Sequence, residues 1–179
     1  GAITWLSLNE EKLKNISHGL VLTCVGDKGN FTYKKSRDGD LEIDNVVLDV
    51  LKNSEQKFIV KDFFPTGSDE RQFCSPGFNL PIGSLMRTMY NEFKEYHTSA
   101  DNLSFVSNDS LQGSFDKFVE VIRKLENNFE NSKKDKVTKT EKITSNDLKF
   151  LNLNPKCEPQ LGKRGLYHII GSGKSGVRP

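Results

Sequence analysis

Residues Gly67–Asn102 read GSDERQFCSPGFNLPIGSLMRTMYNEFKEYHTSADN. The stretch holds an acidic loop (Asp69-Glu70-Arg71), a turn at Pro76-Gly77, an apolar run from Leu80 to Met86, and then Glu95-Tyr96-His97-Thr98. A short apolar run bounded by turn residues reads as a buried strand with a polar loop at each end. In open α/β sheets ligands bind where loops leave the strand ends. This stretch therefore decides both the fold and where chemistry is sought.

Upstream the pattern extends the same architecture. Leu6, Leu13 and Ile16, with charged residues between them, fit an amphipathic helix. Leu20–Val25 is apolar and β-branched, as expected of a strand buried on both faces, and it ends in the turn cluster Gly26-Asp27-Lys28-Gly29-Asn30. Phe31–Lys35 predicts a second strand. Ile43, Val46, Val47, Val50 and Leu51 share one helical face, with Asp44 as the expected cap. Lys57–Phe64 predicts a strand stopped by Pro65 and Gly67. Phe115, Phe118, Val119, Ile122 and Leu125 form the stripe of a last long helix. Strand, helix, strand, strand, helix is an α/β pattern.

Composition narrows the class. The 179 residues are long enough for one domain with a sizeable core and a tail. A net charge of +2 gives no reason to expect a nucleic-acid partner. No apolar run approaches membrane-spanning length, and the expected location is cytoplasmic. The 3 cysteines, without a CxxC pair, argue against a disulfide framework or a Cys-based zinc knuckle. Residues 1–126 are expected to form the domain, the polar residues 127–147 a mobile linker, and 148–179 a partly disordered extension. Gly171-Ser172-Gly173-Lys174-Ser175 lacks the upstream glycine of a phosphate loop, where Tyr167 stands instead.

Of the histidines, His18 and His168 read as surface or capping groups. His97 lies between hydroxyls and near Glu95 and Asp101, so it is a candidate metal ligand held by neighbouring oxygens. Asp27, at the end of a buried strand, would meet the His97 loop if both strands run parallel; local sequence alone makes it an ordinary turn aspartate. Asp69, Glu70 and Arg71 are expected either to form an internal ion pair or to position a polar substrate. Cys74 has no adjacent base and is not expected to be a nucleophile.

Gly67-Ser68-Asp69, Phe73, Pro76-Gly77-Phe78-Asn79-Leu80-Pro81 and Tyr96-His97-Thr98-Ser99-Ala100-Asp101-Asn102 resemble the closing half of co-catalytic zinc exopeptidases of the leucyl-aminopeptidase type. Asp69–Gly77 is closer still to a bacterial aminopeptidase-like branch. The resemblance runs from Gly1 to about Leu125, and Leu151–Gly162 is similar to the segment that succeeds the peptidase domain in that branch. It implies a three-layer α/β fold, a mixed sheet with helices on both faces, present here as a partial domain.

The resemblance further implies zinc as cofactor and a peptide or aminoacyl substrate. His97 and Asp27 would be metal ligands, Asp69 part of the site wall, and Tyr96, Thr98 and Asp101 supports for His97. Glu70 stands where many relatives carry histidine. A second histidine, a bridging aspartate and a glutamate pair that includes the general base would lie upstream of Gly1, so no catalytic residue is assigned in this chain. The expectation is the C-terminal part of an aminopeptidase, inactive alone, with an exposed sheet edge that promotes self-association. The alternatives are a non-catalytic α/β binding or interaction module and a glutaminyl-cyclase-like zinc aminoacyltransferase.

Overall fold

A computed structural model of the chain describes residues 1–135. The elements are α1 (Ala2–Leu8), a 3-10 helical turn (Glu10–Asn15), β1 (Gly19–Leu22), β2 (Phe31–Lys34), α2 (Glu42–Lys52), β3 (Phe58–Lys61), α3 (Glu70–Phe73), β4 (Ile82–Met86) and α4 (Asn108–Asp135). The fold is α/β, with a mixed four-stranded sheet in the order β1-β4-β2-β3. β1 and β4 are parallel, as are β2 and β3, and the two pairs meet antiparallel between β2 and β4. β4 is buried at every position, so the apolar run of the deciding stretch is an inner strand of the sheet.

Alternation along the strands separates two of the core clusters. Phe31, Tyr33 and Leu85 pack with Ile43, Val46, Val47, Val50 and Leu51 of α2 and with Phe118 and Val121 of α4. Ile82, of opposite parity to Leu85 on β4, packs instead with Leu6, Leu13, Cys74 and Leu80. Each fully buried side chain of this size contributes roughly 1.5–3 kcal/mol by its transfer from water.

Several expectations are corrected. The N-terminal stretch is not one helix. Asn9 breaks it by turning its own side-chain amide back to the Trp5 carbonyl at 2.9 Å, a local bond that competes with helix continuation. β1 is not buried on both faces, because it is an outer strand, and Leu22 is largely exposed. It also stops before Val25, since Cys24 adopts the left-handed region at φ 50°.

Asp44 does not cap α2 from outside. It sits in the first turn, fully buried, and accepts from the Leu41 N–H at 3.0 Å, the Ser36 N–H at 2.8 Å, the Ser36 hydroxyl at 2.6 Å and the Tyr33 hydroxyl at 2.8 Å. Asp69-Glu70-Arg71 is not a loop throughout, because Glu70 and Arg71 begin the single turn α3.

On α4 the buried face is Ser110, Ser114, Phe118 and Val121, whereas Phe115 and Ile122 are exposed. The apolar stripe is rotated from the face the pattern suggests, because two serines occupy the inner side. α4 also continues to Asp135, into the stretch expected to be a linker, and is tied back to α2 by Lys124–Asp49 and by Asn128 Nδ2 to Glu42 Oε1 at 3.1 Å. The expectations for 136–147 and for the extension 148–179 lie outside the described residues. No helix among the described residues is long and apolar enough to cross a membrane.

Candidate functional site

Because β1 and β4 are parallel neighbours, the loops that succeed them leave the sheet at the same end. The β1 loop is fastened to its surroundings through its backbone. The Cys24 carbonyl accepts from the Arg87 N–H at 2.9 Å, the Val25 carbonyl from the Ser114 hydroxyl at 2.7 Å, and the Gly26 carbonyl from the Ser107 N–H at 3.0 Å. A Cβ on Gly26 would lie 2.8 Å from Val106, so only glycine permits this approach. Between the loops lies a cavity of about 460 Å³ whose walls include Cys24, Asp27, Ser68, Tyr96, His97 and Asp101.

Asp27 is buried and heavily bonded. Its Oδ1 accepts from the Gly29 N–H at 2.6 Å and from the Thr88 hydroxyl at 2.7 Å, and its Oδ2 from the Thr88 N–H at 3.0 Å. The bond to Gly29 is the side-chain-to-backbone turn typical of aspartate. Beside it, Arg87 donates from Nε to the Ser110 carbonyl at 3.1 Å and to the Ser114 hydroxyl at 3.0 Å, and from Nη1 to the Gly29 carbonyl at 3.0 Å. Burial pulls the Arg87 guanidinium below its ordinary value, and the Asp27 carboxylate opposes that shift.

His97 stands in the left-handed region at φ 57°, an unusual conformation for a residue with a Cβ. Its ring stacks on Tyr96 with centroids 3.9 Å apart and 16° between planes. Tyr96 meets Phe93 edge-on at 5.5 Å, and Phe93 stacks on Phe105 at 5.3 Å. The imidazole is thus carried on an aromatic ladder while remaining exposed at the cavity. Thr98 spends its hydroxyl on the turn itself, donating to the Glu95 carbonyl at 2.7 Å and accepting from the Ala100 N–H at 3.2 Å. Asp101 lines the cavity and is exposed. Burial, together with the charges of Asp27 and Asp101, raises the Cys24 thiol above its usual range despite the Thr23 hydroxyl nearby, which keeps it neutral and a poor nucleophile.

Residues 1–128 match the family DUF4910, described as a domain of unknown function. The chain belongs to this family. A curated relative from Clostridium acetobutylicum, named "Putative polysaccharide biosynthesis protein with aminopeptidase-like domain", is 54% identical over 173 residues, which is 97% of this chain and 35% of the relative. A crystal structure of a "putative peptidase" from the same organism matches with a TM-score of 0.69 and 51% identity, over 95% of this chain and 36% of that one. The chain therefore spans about a third of the length of the relatives it matches. A peptidase-like family is thereby supported. Residues 149–178 are similar to a winged helix-turn-helix, and lie outside the described residues.

Within the DUF4910 domain the sequence candidates separate into two groups. Asp27, Tyr96, His97 and Asp101 come together on one cavity. Asp69 is exposed at the start of α3, and Glu70 turns inward, fully buried, with Oε1 2.8 Å from Lys34 Nζ. The segment's contribution to the cavity wall is Ser68. Sequence reasoning assigns no role to Cys24, Ser68, Thr88 and Arg87. Cys24, Thr88 and Arg87 act through contacts to distant segments and stand in no motif that would mark them, whereas Ser68 lies within the Gly67-Ser68-Asp69 motif and bonds locally to Glu70.

Among the described residues, the donors on this cavity fall short of a zinc ligand set. Structural and catalytic zinc sites use three or more protein ligands. Among the described residues, no group of three or more His, Cys, Asp or Glu side chains is placed to hold a metal ion. Asp27 and His97 are two donors that line the same cavity.

Proposed function

We propose that this chain contributes one part of an aminopeptidase-like domain whose cofactor is zinc, with His97 and Asp27 as the donors this part supplies. The observation that carries the reading is the shared cavity at the carboxyl ends of two parallel neighbouring strands, with a supported, exposed imidazole and a buried carboxylate on its walls. The relatives' peptidase and aminopeptidase-like names support the same class. The separate core clusters around Leu85 and Ile82 favour a three-layer arrangement with helices on both sheet faces.

In this reading His97 presents an imidazole on the Tyr96 ring, and Asp27 presents a carboxylate whose orientation is set by Thr88 and Gly29. Thr98 and Asp101 shape the loop around His97. Ser68 and Cys24 add polar wall for a peptide or aminoacyl substrate. No proton-transferring base is assigned among these residues, so this reading expects no peptide hydrolysis from the chain alone.

Zinc titration against a chelator, with hydrolysis of leucyl-p-nitroanilide followed in parallel, tests the reading. The expected result is weak zinc binding, lost in both His97→Ala and Asp27→Asn, and no turnover. Zinc binding indifferent to both substitutions would overturn the ligand assignment. Stoichiometric zinc with turnover would overturn the claim of an incomplete site. The absence of a third donor among the described residues favours, as the second reading, a non-catalytic binding module, which predicts no zinc uptake.

A further inference from the structure

Lys34 is fully buried, although lysine is among the residues least often found inside. All three protons of its ammonium have acceptors: the Thr66 carbonyl at 2.7 Å, Glu70 Oε1 at 2.8 Å and the Tyr90 hydroxyl at 3.1 Å. The ammonium also lies 3.8 Å from the centroid of the Phe64 ring. A buried ion pair of this kind is a poor source of net stability, because desolvation offsets most of the attraction and an apolar pair of similar volume often serves the fold as well. Its geometry is the more informative feature.

We propose that Lys34, Glu70 and Tyr90 form a buried positioning unit that sets two walls of the cavity, the Thr66–Ser68 segment and the Tyr96–His97 segment. The inference rests on reading that cavity as the functional site. Residues 66 to 68 each engage the unit. The Thr66 carbonyl accepts from Lys34, and the Ser68 N–H donates to Glu70 Oε1 at 3.3 Å. Gly67, at φ 123°, runs so close to Tyr90 that a Cβ would lie 2.0 Å from its hydroxyl. On the other side the Tyr90 ring packs 6.5 Å from that of Tyr96, in a cluster with Met86, Met89 and Phe64. Tyr96 in turn carries the His97 ring. Among the described residues, the hydrogen bonds of the Glu70 carboxylate converge on Oε1, while Oε2 is buried with no hydrogen-bond partner there. The unit is thus organised around one oxygen, held where the loop backbone needs it.

The double variant Lys34→Met/Glu70→Gln removes both charges together, so neither is left unpaired. Tyr90→Phe removes the hydroxyl and keeps the ring. In the full chain, the Ser68 amide and the 13C-labelled His97 ring, the latter assigned through His97→Ala, report the two walls by NMR. The double variant is expected to keep a cooperative urea transition, to shift or broaden both resonances, and to weaken zinc binding roughly tenfold, the effect usual for residues that orient ligands. Tyr90→Phe is expected to move the Ser68 amide and leave the His97 ring in place. Unchanged resonances in a folded double variant would overturn the proposal and reduce the unit to a structural ion pair. Should the double variant fail to fold, an unmoved Ser68 amide in Tyr90→Phe would overturn it alone. Adding zinc to the unsubstituted chain separates the two ideas, because an unperturbed His97 ring refutes the zinc reading and leaves the positioning result standing.

Discussion

Thr88 holds Asp27 across 61 positions of chain, with its hydroxyl on Oδ1 at 2.7 Å and its N–H on Oδ2 at 3.0 Å. Thr88 lies just beyond β4 and Asp27 in the loop after β1, so this contact joins the ends of two parallel strands. It fixes which carboxylate lone pairs remain for another partner. Gly29 must lack a side chain here, since a Cβ would fall 2.0 Å from the Thr88 hydroxyl.

Thr88→Val should therefore disturb Asp27 without altering the sheet. The variant keeps the shape and the backbone N–H but deletes the hydroxyl donor. A loss of about 1–2 kcal/mol is expected in urea unfolding, the usual cost of stripping a buried acceptor of one bond. If Asp27 is a zinc donor, affinity falls about tenfold as well. Unchanged stability would show that the hydroxyl contributes nothing to holding the carboxylate.

Asp44 is another buried carboxylate, and it ties β2 to the start of α2. Asp44→Ala strands the Tyr33 hydroxyl and the Ser36 donors without an acceptor. With several buried groups left unsatisfied, the expected cost is at least about 3 kcal/mol. Asp44→Asn, which retains one acceptor oxygen, should recover part of it. A change below about 1 kcal/mol in Asp44→Ala would mean that water replaces the carboxylate cheaply.

Cys74 makes stability depend on alkaline pH. Burial pushes its thiol up to about 11 from an ordinary value of 9.0, partly countered by backbone hydrogen bonds. The thiol is buried, and its sulfur lies 3.0 Å from the Ile82 carbonyl. A folded value above the unfolded one means that the contribution is complete below pH 9 and disappears as pH rises through about 11. The gap between the two values corresponds to at most about 3 kcal/mol. Urea midpoints measured across this alkaline range should fall, and Cys74→Ala should flatten that part of the profile. Equal slopes in both proteins would refute the assignment to Cys74.

Gly67→Ala combines two penalties, a positive φ of 123° and a collision with Tyr90. The expected cost exceeds the roughly 1 kcal/mol of an ordinary glycine-to-alanine change at left-handed backbone. Tyr90→Phe should not rescue it, because the new Cβ would still lie 2.3 Å from the ring. Thermal melting of the two single variants and the double decides this, and full rescue by Tyr90→Phe would contradict the geometry.

The sequence alone determined the elements whose patterns are local. Leu80–Met86 is legible as a buried strand because apolar residues there are flanked by a Pro/Gly turn on one side and polar residues on the other. The α2 face of Ile43, Val46, Val47, Val50 and Leu51 is equally legible, since helical spacing repeats along the 11 residues of the element. The pairing of Asp27 with the His97 loop is visible only as a condition, namely that their strands run parallel.

Tertiary structure decided the rest, because those features depend on contacts between segments far apart in sequence. That β1 lies beside β4, and not beside β2, makes Leu22 an exposed edge residue and brings the two loops to one cavity. Ser114 of α4 faces inward because its hydroxyl accepts from Arg87 and donates to the Val25 carbonyl, and the inward Ser110 hydroxyl pairs with that of Ser107. Glu70 reads as part of an acidic loop, yet it is buried because Lys34, 36 positions earlier, extends from the sheet to meet it. A charge can leave water only where an opposite charge and hydrogen-bonding groups are already in place, and no local pattern announces where those groups come from.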